Sequence, residues 1–194
     1  MTVNKNLIVA ITGASGVIYG IKLLQALKSS SYKIHLILSE PGSRNIEIET
    51  GMTPEEIKEI ADYTYFNTDI EAPLASGSFI TEGMIVIPCS VKTLSGIANC
   101  YAENLIVRAA DVTLKENRKL VLVVRETPLH VGHLRLMQMA AEMGAHILPP
   151  IPSFYHQPKT IDDIINQTIG KIFDYFAIEH DLFKRWGTLP RSNS

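Results

Sequence analysis

The 194-residue sequence is poor in cysteine: Cys89 and Cys100 are too few for a disulfide framework or a four-ligand zinc module. Long hydrophobic runs are absent. The longest apolar stretches, such as Leu7–Ile11 and Leu120–Val124, are strand-length, far short of the roughly 20 residues a spanning helix needs. Neither sign of charge dominates. With 18 Lys and Arg against 20 Asp and Glu, no whole-chain basic field draws in nucleic acid or an anionic membrane. The six histidines show no metal spacing, and His130 and His133, three apart, have no third ligand nearby. The sequence contains no G-x-G-x-x-G, no G-x-x-x-x-G-K-[ST] and no G-x-S-x-G. Hydrophobic content of 46% with 20% charge is instead that of a globular core. Met1–Asn6 lead straight into the first apolar run, which predicts a cytoplasmic protein without a signal peptide.

Five short runs rich in Ile, Val and Leu read as strands buried on both faces: Leu7–Thr12, Ile34–Ser39, Met84–Pro88, Leu120–Arg125 and His146–Leu148. Segments of helical period lie between them. Val17–Leu27 puts Val17, Ile21, Leu24 and Leu27 on one face; Asn104–Asn117 and His133–Met143 repeat the pattern. Thr53-Pro54-Glu55-Glu56 and Thr160-Ile161-Asp162-Asp163 are capped helix starts. The alternation predicts an α/β fold: a Rossmann-like or flavodoxin-like parallel sheet with helices on both faces. Ligands are expected at the strands' carboxyl ends. One domain spans 1–194, with a core over about 5–150. Beyond the break at Pro149-Pro150-Ile151-Pro152, a projecting C-terminal helix and tail over about 151–190 is expected to serve oligomerisation and complete the active site. The aromatic residues Phe173, Tyr175, Phe176, Phe183 and Trp186 suggest assembly.

Three strand ends carry chemistry. Thr12-Gly13-Ala14-Ser15-Gly16 is a turn whose backbone N–H groups face an anion or a heterocycle, or simply a tight βα connection. Pro88–Ile97, with Ser90, Val91, Lys92 and Thr93, is a second anion cradle or a helix cap. Arg125-Glu126 sets a planar phosphate fork beside an acid or base, or forms a surface ion pair. Arg108 and Lys115, seven apart, share one helix face, by default a solvated one. Tyr155-x-x-x-Lys159 is not a dehydrogenase pair, because Pro158 breaks the helix that such a pair requires.

In this order the pieces resemble the UbiX-type flavin prenyltransferases, accessory flavoproteins of aromatic-acid decarboxylases. The matching strings include Thr12–Gly16 with Tyr19-Gly20, Ala75–Phe79, Pro88–Gly96, Arg108–Val112, Leu114–Glu116, Arg125–Leu129 and Pro149–Tyr155. The resemblance implies a homo-oligomer, a dodecamer, that joins a dimethylallyl group from dimethylallyl phosphate to N5 and C6 of reduced FMN. The prenylated FMN then serves a UbiD-type decarboxylase. It places Gly13, Ala14, Ser15, Ser39, Ser90, Val91, Lys92, Thr93 and Arg125 at the flavin, and Arg108, Lys115, Glu126, Tyr155, Lys171 and Trp186 at the prenyl phosphate. Ser15, Glu49 and Glu126 take the catalytic roles. Where relatives carry arginine, Lys171 keeps the charge but loses the bidentate fork. No metal is implied, since no D-D-x-x-D segment exists to hold a diphosphate. The rival readings are an FMN-dependent decarboxylase, of aromatic-acid or cysteine type, and a non-catalytic flavin-binding subunit. The cysteine type is disfavoured because no His lies between His35 and His130.

Overall fold

The computed structural model describes residues 5–187, divided into two compact units that meet at Pro149 and Pro150. The first holds a six-stranded, all-parallel sheet of order β3-β2-β1-β4-β5-β6. Its strands are β1 (Lys5–Ile11), β2 (Tyr32–Leu38), β3 (Tyr63–Phe66), β4 (Gly83–Cys89), β5 (Lys119–Val124) and β6 (His146–Ile147). Its helices are α1 (Val17–Leu27), α2 (Glu40–Thr50), α3 (Pro54–Lys58), α4 (Val91–Ala98), α5 (Leu105–Lys115) and α6 (Val131–Glu142). The second unit holds α7 (Ile161–Phe176).

Helices cover both faces of this sheet. Ile8, Ala10, Met84, Val86, Leu120 and Leu122 join one core cluster with Leu94 and Ile97 of α4, Leu105 and Ala109 of α5, and Ala140 of α6. The alternate residues Leu7, Val9 and Ile11 point the other way, and Gly20 of α1 lies directly against Ile11. The α1 stripe Val17, Ile21, Leu24 and Leu27 is at most 1% exposed. Burying each such side chain contributes about 1.5–3 kcal/mol.

Two elements depart from the sequence reading. A sixth strand, β3, pairs with β2 in the register His35↔Tyr63 to Leu38↔Phe66. Its segment Tyr-Thr-Tyr-Phe is largely exposed at the sheet edge, so it lacks the apolar run that marks a buried strand. Helix α2 begins at Glu40-Pro41-Gly42, which reads as a break in sequence. Pro41 is tolerated because it sits in the first turn, and Ser39 caps that turn by accepting from Gly42 N at 3.1 Å. In the second unit, Phe173 and Phe176 are buried rather than left for assembly, while Trp186 is 81% exposed.

On β2, beside β3, lies a buried histidine with both nitrogens engaged. His35 Nδ1 is 3.0 Å from Tyr65 Oη and Nε2 is 3.2 Å from Asn6 Oδ1, whose amide is oriented by Asn6 Nδ2 donating to Ile80 O. Nε2–H therefore donates to Asn6 while Nδ1 accepts from Tyr65. Burial pushes this imidazole below its ordinary pKa of 6.5, partly offset by the Asp62 carboxylate. On acidification the unfolded chain takes up this proton first, so stability is lost as pH falls below the ordinary value. Urea midpoints measured at pH 7.5 and 5.5 should fall in the wild type, and His35→Gln should flatten that difference.

Candidate active site

The crevice opens where the strand order reverses, between β1 and β4, the expected ligand site of a doubly wound sheet. Thr12 ties the two strand ends together. Its buried hydroxyl donates to Pro88 O at 2.7 Å and accepts from Ser90 N at 2.8 Å. Three helices start at this edge: α1 after Gly16, α2 after Ser39 and α4 after Ser90. Each N-terminus brings the positive end of its dipole, a setting for an anion, which at α1 is met by a carboxylate of the chain itself. Ser90 Oγ accepts from Thr93 N at 3.3 Å and lies 3.1 Å from Thr93 Oγ1.

At the α2 and α4 ends, and at that of α5 after Asn104, is a cavity of about 240 Å³ whose lining includes Thr12, Gly13, Ser39, Ser90, Lys92 and Thr93. Hydroxyls, two side-chain amides and one ammonium supply its donors. Glu103 also lines it, 3.4 Å from Lys92 Nζ. The turn closes on it because position 13 has no side chain: a Cβ there would stand 2.4 Å from Pro41 Cβ. A phosphate-bearing ring system fits this donor set.

The turn beyond the cavity is held by an acid from another helix. Gly16, left-handed at φ 94°, offers no side chain to cap α1. Glu49 of α2 does so instead, one oxygen accepting from Gly16 N at 2.8 Å and Val17 N at 3.1 Å. A carboxylate at a helix N-terminus is stabilised by the dipole. Ala14 is buried and Ser15 stands exposed at the tip. Glu49 thus adjoins the turn that carries Ser15. Cys89 is no nucleophile, since full burial pushes its thiol up to about 12.

Other expected site residues lie apart from this cavity within one chain. Arg125 and Glu126 are exposed at the end of β5, with Arg125 N donating to Cys89 O and Glu126 Oε1 accepting from Thr127 N at 3.0 Å. Arg108 and Lys115 face the Ala75–Phe79 loop. Arg108 Nε donates to Ala75 O at 3.1 Å, Arg108 Nη1 meets Asp111 at 2.9 Å, and Lys115 Nζ meets Glu116 at 2.6 Å. A Cβ at Gly77 would stand 3.0 Å from Lys115 Nζ. The Asn104 end of α5 lines the cavity, so Lys115 at the other end lies about 15 Å further along the axis.

In the second unit, Tyr155 and Trp186 meet edge to face, with centroids 5.7 Å apart, at a pocket of about 360 Å³. Lys171 Nζ lies 5.6 Å from the Phe183 ring centre. No group of three or more His, Cys, Asp or Glu that could hold a metal occurs among the described residues.

Sequence reasoning missed Pro41, Asn67 and Asn104 in the cavity wall. Asn104 caps α5 by accepting from Val107 N, a signal visible as an Asn before an apolar helix. Asn67 accepts from Ile106 N, 39 residues away, which no local pattern announces.

A parallel sheet with a phosphate-type cradle at its reversal point defines an α/β nucleotide-binding protein. A sequence model of the flavoprotein family matches residues 1–173. The flavin prenyltransferase UbiX of Salmonella typhimurium is 54% identical over 185 residues, covering 94% of this chain and 98% of that protein. The solved structure of AnUbiX in complex with FMN and dimethylallyl pyrophosphate superposes with a TM-score of 0.94 at 43% identity, covering 97% of this chain and all of that one. A dodecameric FMN-dependent UbiX-like decarboxylase from Escherichia coli O157:H7 gives a TM-score of 0.91 at 46% identity, covering 93% and 98% of the two chains. The chain belongs to the UbiX flavin prenyltransferases within the flavoprotein family.

Proposed function

We propose that this protein joins the dimethylallyl group of dimethylallyl phosphate to reduced FMN, releasing phosphate and making prenylated FMN for a UbiD-type decarboxylase. One observation carries the reading. The N-termini of α2, α4 and α5 line a cavity closed by Gly13 against Pro41, in a chain 54% identical to a flavin prenyltransferase. The flavin is substrate and supplies N5 and C6 as the carbon-accepting atoms.

The chain's own residues bind, orient and move protons. Gly13, Ala14, Ser15, Ser39, Ser90, Val91, Lys92, Thr93 and Arg125 hold the flavin, its phosphate on the N-terminal N–H groups. Arg108, Lys115, Glu126, Tyr155, Lys171 and Trp186, drawn from more than one copy of the chain, hold the prenyl phosphate. Departure of phosphate leaves cationic character on the allyl group, so cations belong at the phosphate and π-rich walls at the carbon chain. Glu126 passes a proton through the phosphate when C6 loses its hydrogen. Ser15 and Glu49 serve the flavin edge, Glu49 also holding the Ser15 turn by its cap to Gly16 and Val17.

The exposed apolar residues Val131 and Leu134 of α6 support a homo-oligomer, for which a dodecamer is our reading. No described helix is long and apolar enough to cross a membrane; we place the protein in the cytoplasm.

The test is anaerobic incubation with reduced FMN and dimethylallyl monophosphate, followed by mass spectrometry of the extracted flavin. The expected result is the mass gain of one five-carbon unit, lost in Ser15→Ala and Glu49→Gln and slowed in Glu126→Gln. Unmodified FMN with release of carbon dioxide from a phenolic acid by the protein alone would replace this reading with a direct decarboxylase. Unmodified FMN without carbon dioxide would make it a flavin-binding subunit.

A further inference from the structure

The tail after α7 turns back on its own helix, and one carboxylate holds it there. Asp174, in the last turn of α7, accepts from two arms of the Arg185 guanidinium, Nη2 to Oδ1 at 2.6 Å and Nη1 to Oδ2 at 3.2 Å. Its Oδ1 also accepts from His180 Nε2 at 3.1 Å. The other nitrogen of that ring accepts from Leu182 N at 3.2 Å, which puts the proton of the neutral imidazole on Nε2. The His180 side chain is only 2% exposed and its Nε2 also lies 3.3 Å from Arg185 Nη2, so carboxylate, guanidinium and imidazole form one cluster.

Beneath the tail lies a seat made by a missing side chain. A Cβ at Gly170 would stand 2.4 Å from Phe183 Cε1 and 2.7 Å from His180 Cε1. Phe183 in turn lies between two cations, Lys171 Nζ at 5.6 Å and Arg185 Cζ at 5.5 Å from its ring centre. Trp186 follows Arg185 in the chain, and its ring meets Tyr155 at 89°. The Arg185 latch and the Phe183 seat therefore act on all three of Tyr155, Lys171 and Trp186.

We infer that Asp174 is a positioning residue for the prenyl donor: through Arg185 and His180 it holds the tail on Gly170 and so sets Lys171 and Trp186 in place. The inference rests on the reading that Tyr155, Lys171 and Trp186 bind the donor. An isolated exposed ion pair contributes almost nothing. This one is bidentate, shares an oxygen with a buried imidazole and flanks an aromatic seat, the arrangement in which such pairs carry geometric information. The Arg185 guanidinium holds the Asp174 carboxyl below the usual carboxylate range, partial burial opposes this, and His180 adds to it. The latch therefore keeps its charge at neutral pH.

Trp186 is the sole tryptophan of the chain, so its fluorescence reports on the tail without any assay of the reaction. Acrylamide quenching of Trp186 and steady-state kinetics with dimethylallyl monophosphate and reduced FMN are measured in wild type, Asp174→Asn, Asp174→Glu and Arg185→Lys, with helical circular dichroism confirming the fold. In Asp174→Asn the quenching constant should rise about twofold and the KM for the donor roughly three- to tenfold, with kcat and FMN affinity near wild type. Arg185→Lys should lie between, and Asp174→Glu should recover part of both effects. Unchanged quenching in Asp174→Asn overturns the latch. Raised quenching with an unchanged donor KM overturns the positioning role. Trp186→Leu separates the two readings. If it leaves the donor KM unchanged, the donor-binding assignment itself has failed; if it raises that KM while Asp174→Asn does not, only the role of Asp174 has.

Discussion

Gly13→Ala should weaken FMN binding about a hundredfold while leaving the fold standing. The added methyl would stand 2.4 Å from Pro41 Cβ, inside any real contact distance, so either the turn or the start of α2 must move. Both carry the cradle. Residues 12–16 lead into the N-terminus of α1, and Pro41 lies one residue from Gly42, whose N–H is bound to Ser39 Oγ. A shift of even part of an ångström misaligns several N–H groups at once, and each bond to a charged phosphate is worth about 1.5–3 kcal/mol. The strain on the folded state is smaller, about 1–3 kcal/mol for overpacking of one site. Titration of FMN by flavin fluorescence, beside a thermal melt, measures both quantities. An FMN affinity within a factor of two of wild type would mean that the Gly13 turn does not hold the flavin.

Lys115→Ala should lower prenyl transfer by about two to three orders of magnitude, the usual cost of removing one charge-stabilising donor from a reacting site. Within one chain Lys115 lies at the far end of α5 from the cavity wall, and the proposed role requires it to act on the site of another copy. Co-expression of Lys115→Ala chains with Gly13→Ala chains tests this directly. With FMN held well below the weakened affinity each variant alone is nearly inactive, but an equal mixture should regain about a quarter of wild-type activity, the share of sites receiving both intact halves. Mixed assemblies no more active than the two variants would show that a single chain builds the whole site.

Much of the fold was legible because local periodicity and burial agreed. The α1 stripe Val17, Ile21, Leu24 and Leu27 faces inward as its spacing implies. The capping boxes at Thr53 and Thr160 form with Glu56 and Asp163 as their third partners. Strand β3 was not legible, because an exposed edge strand needs no apolar run. Helix α2 was not, because Pro41 and Gly42 break helices everywhere except in a first turn. The loops at the ends of β1 and β4, which line the cavity, stood out because glycine and hydroxyl residues at strand ends serve backbone turns rather than a core.

The sequence by itself determined the alternation of strands and helices, the buried stripes, the helix starts and the identity of the residues at the strand ends. These depend on neighbours within a few positions, where period and capping act. Only the tertiary structure decided that Glu49 caps α1 across 33 residues, that Pro41 closes on Gly13, that Thr12 bridges β1 to β4 and that Asp174 latches Arg185. A carboxylate or a glycine reads the same in sequence whatever it later meets. Its partner is set by how the strands order and the helices pack, and those long-range encounters exist only once the chain has folded.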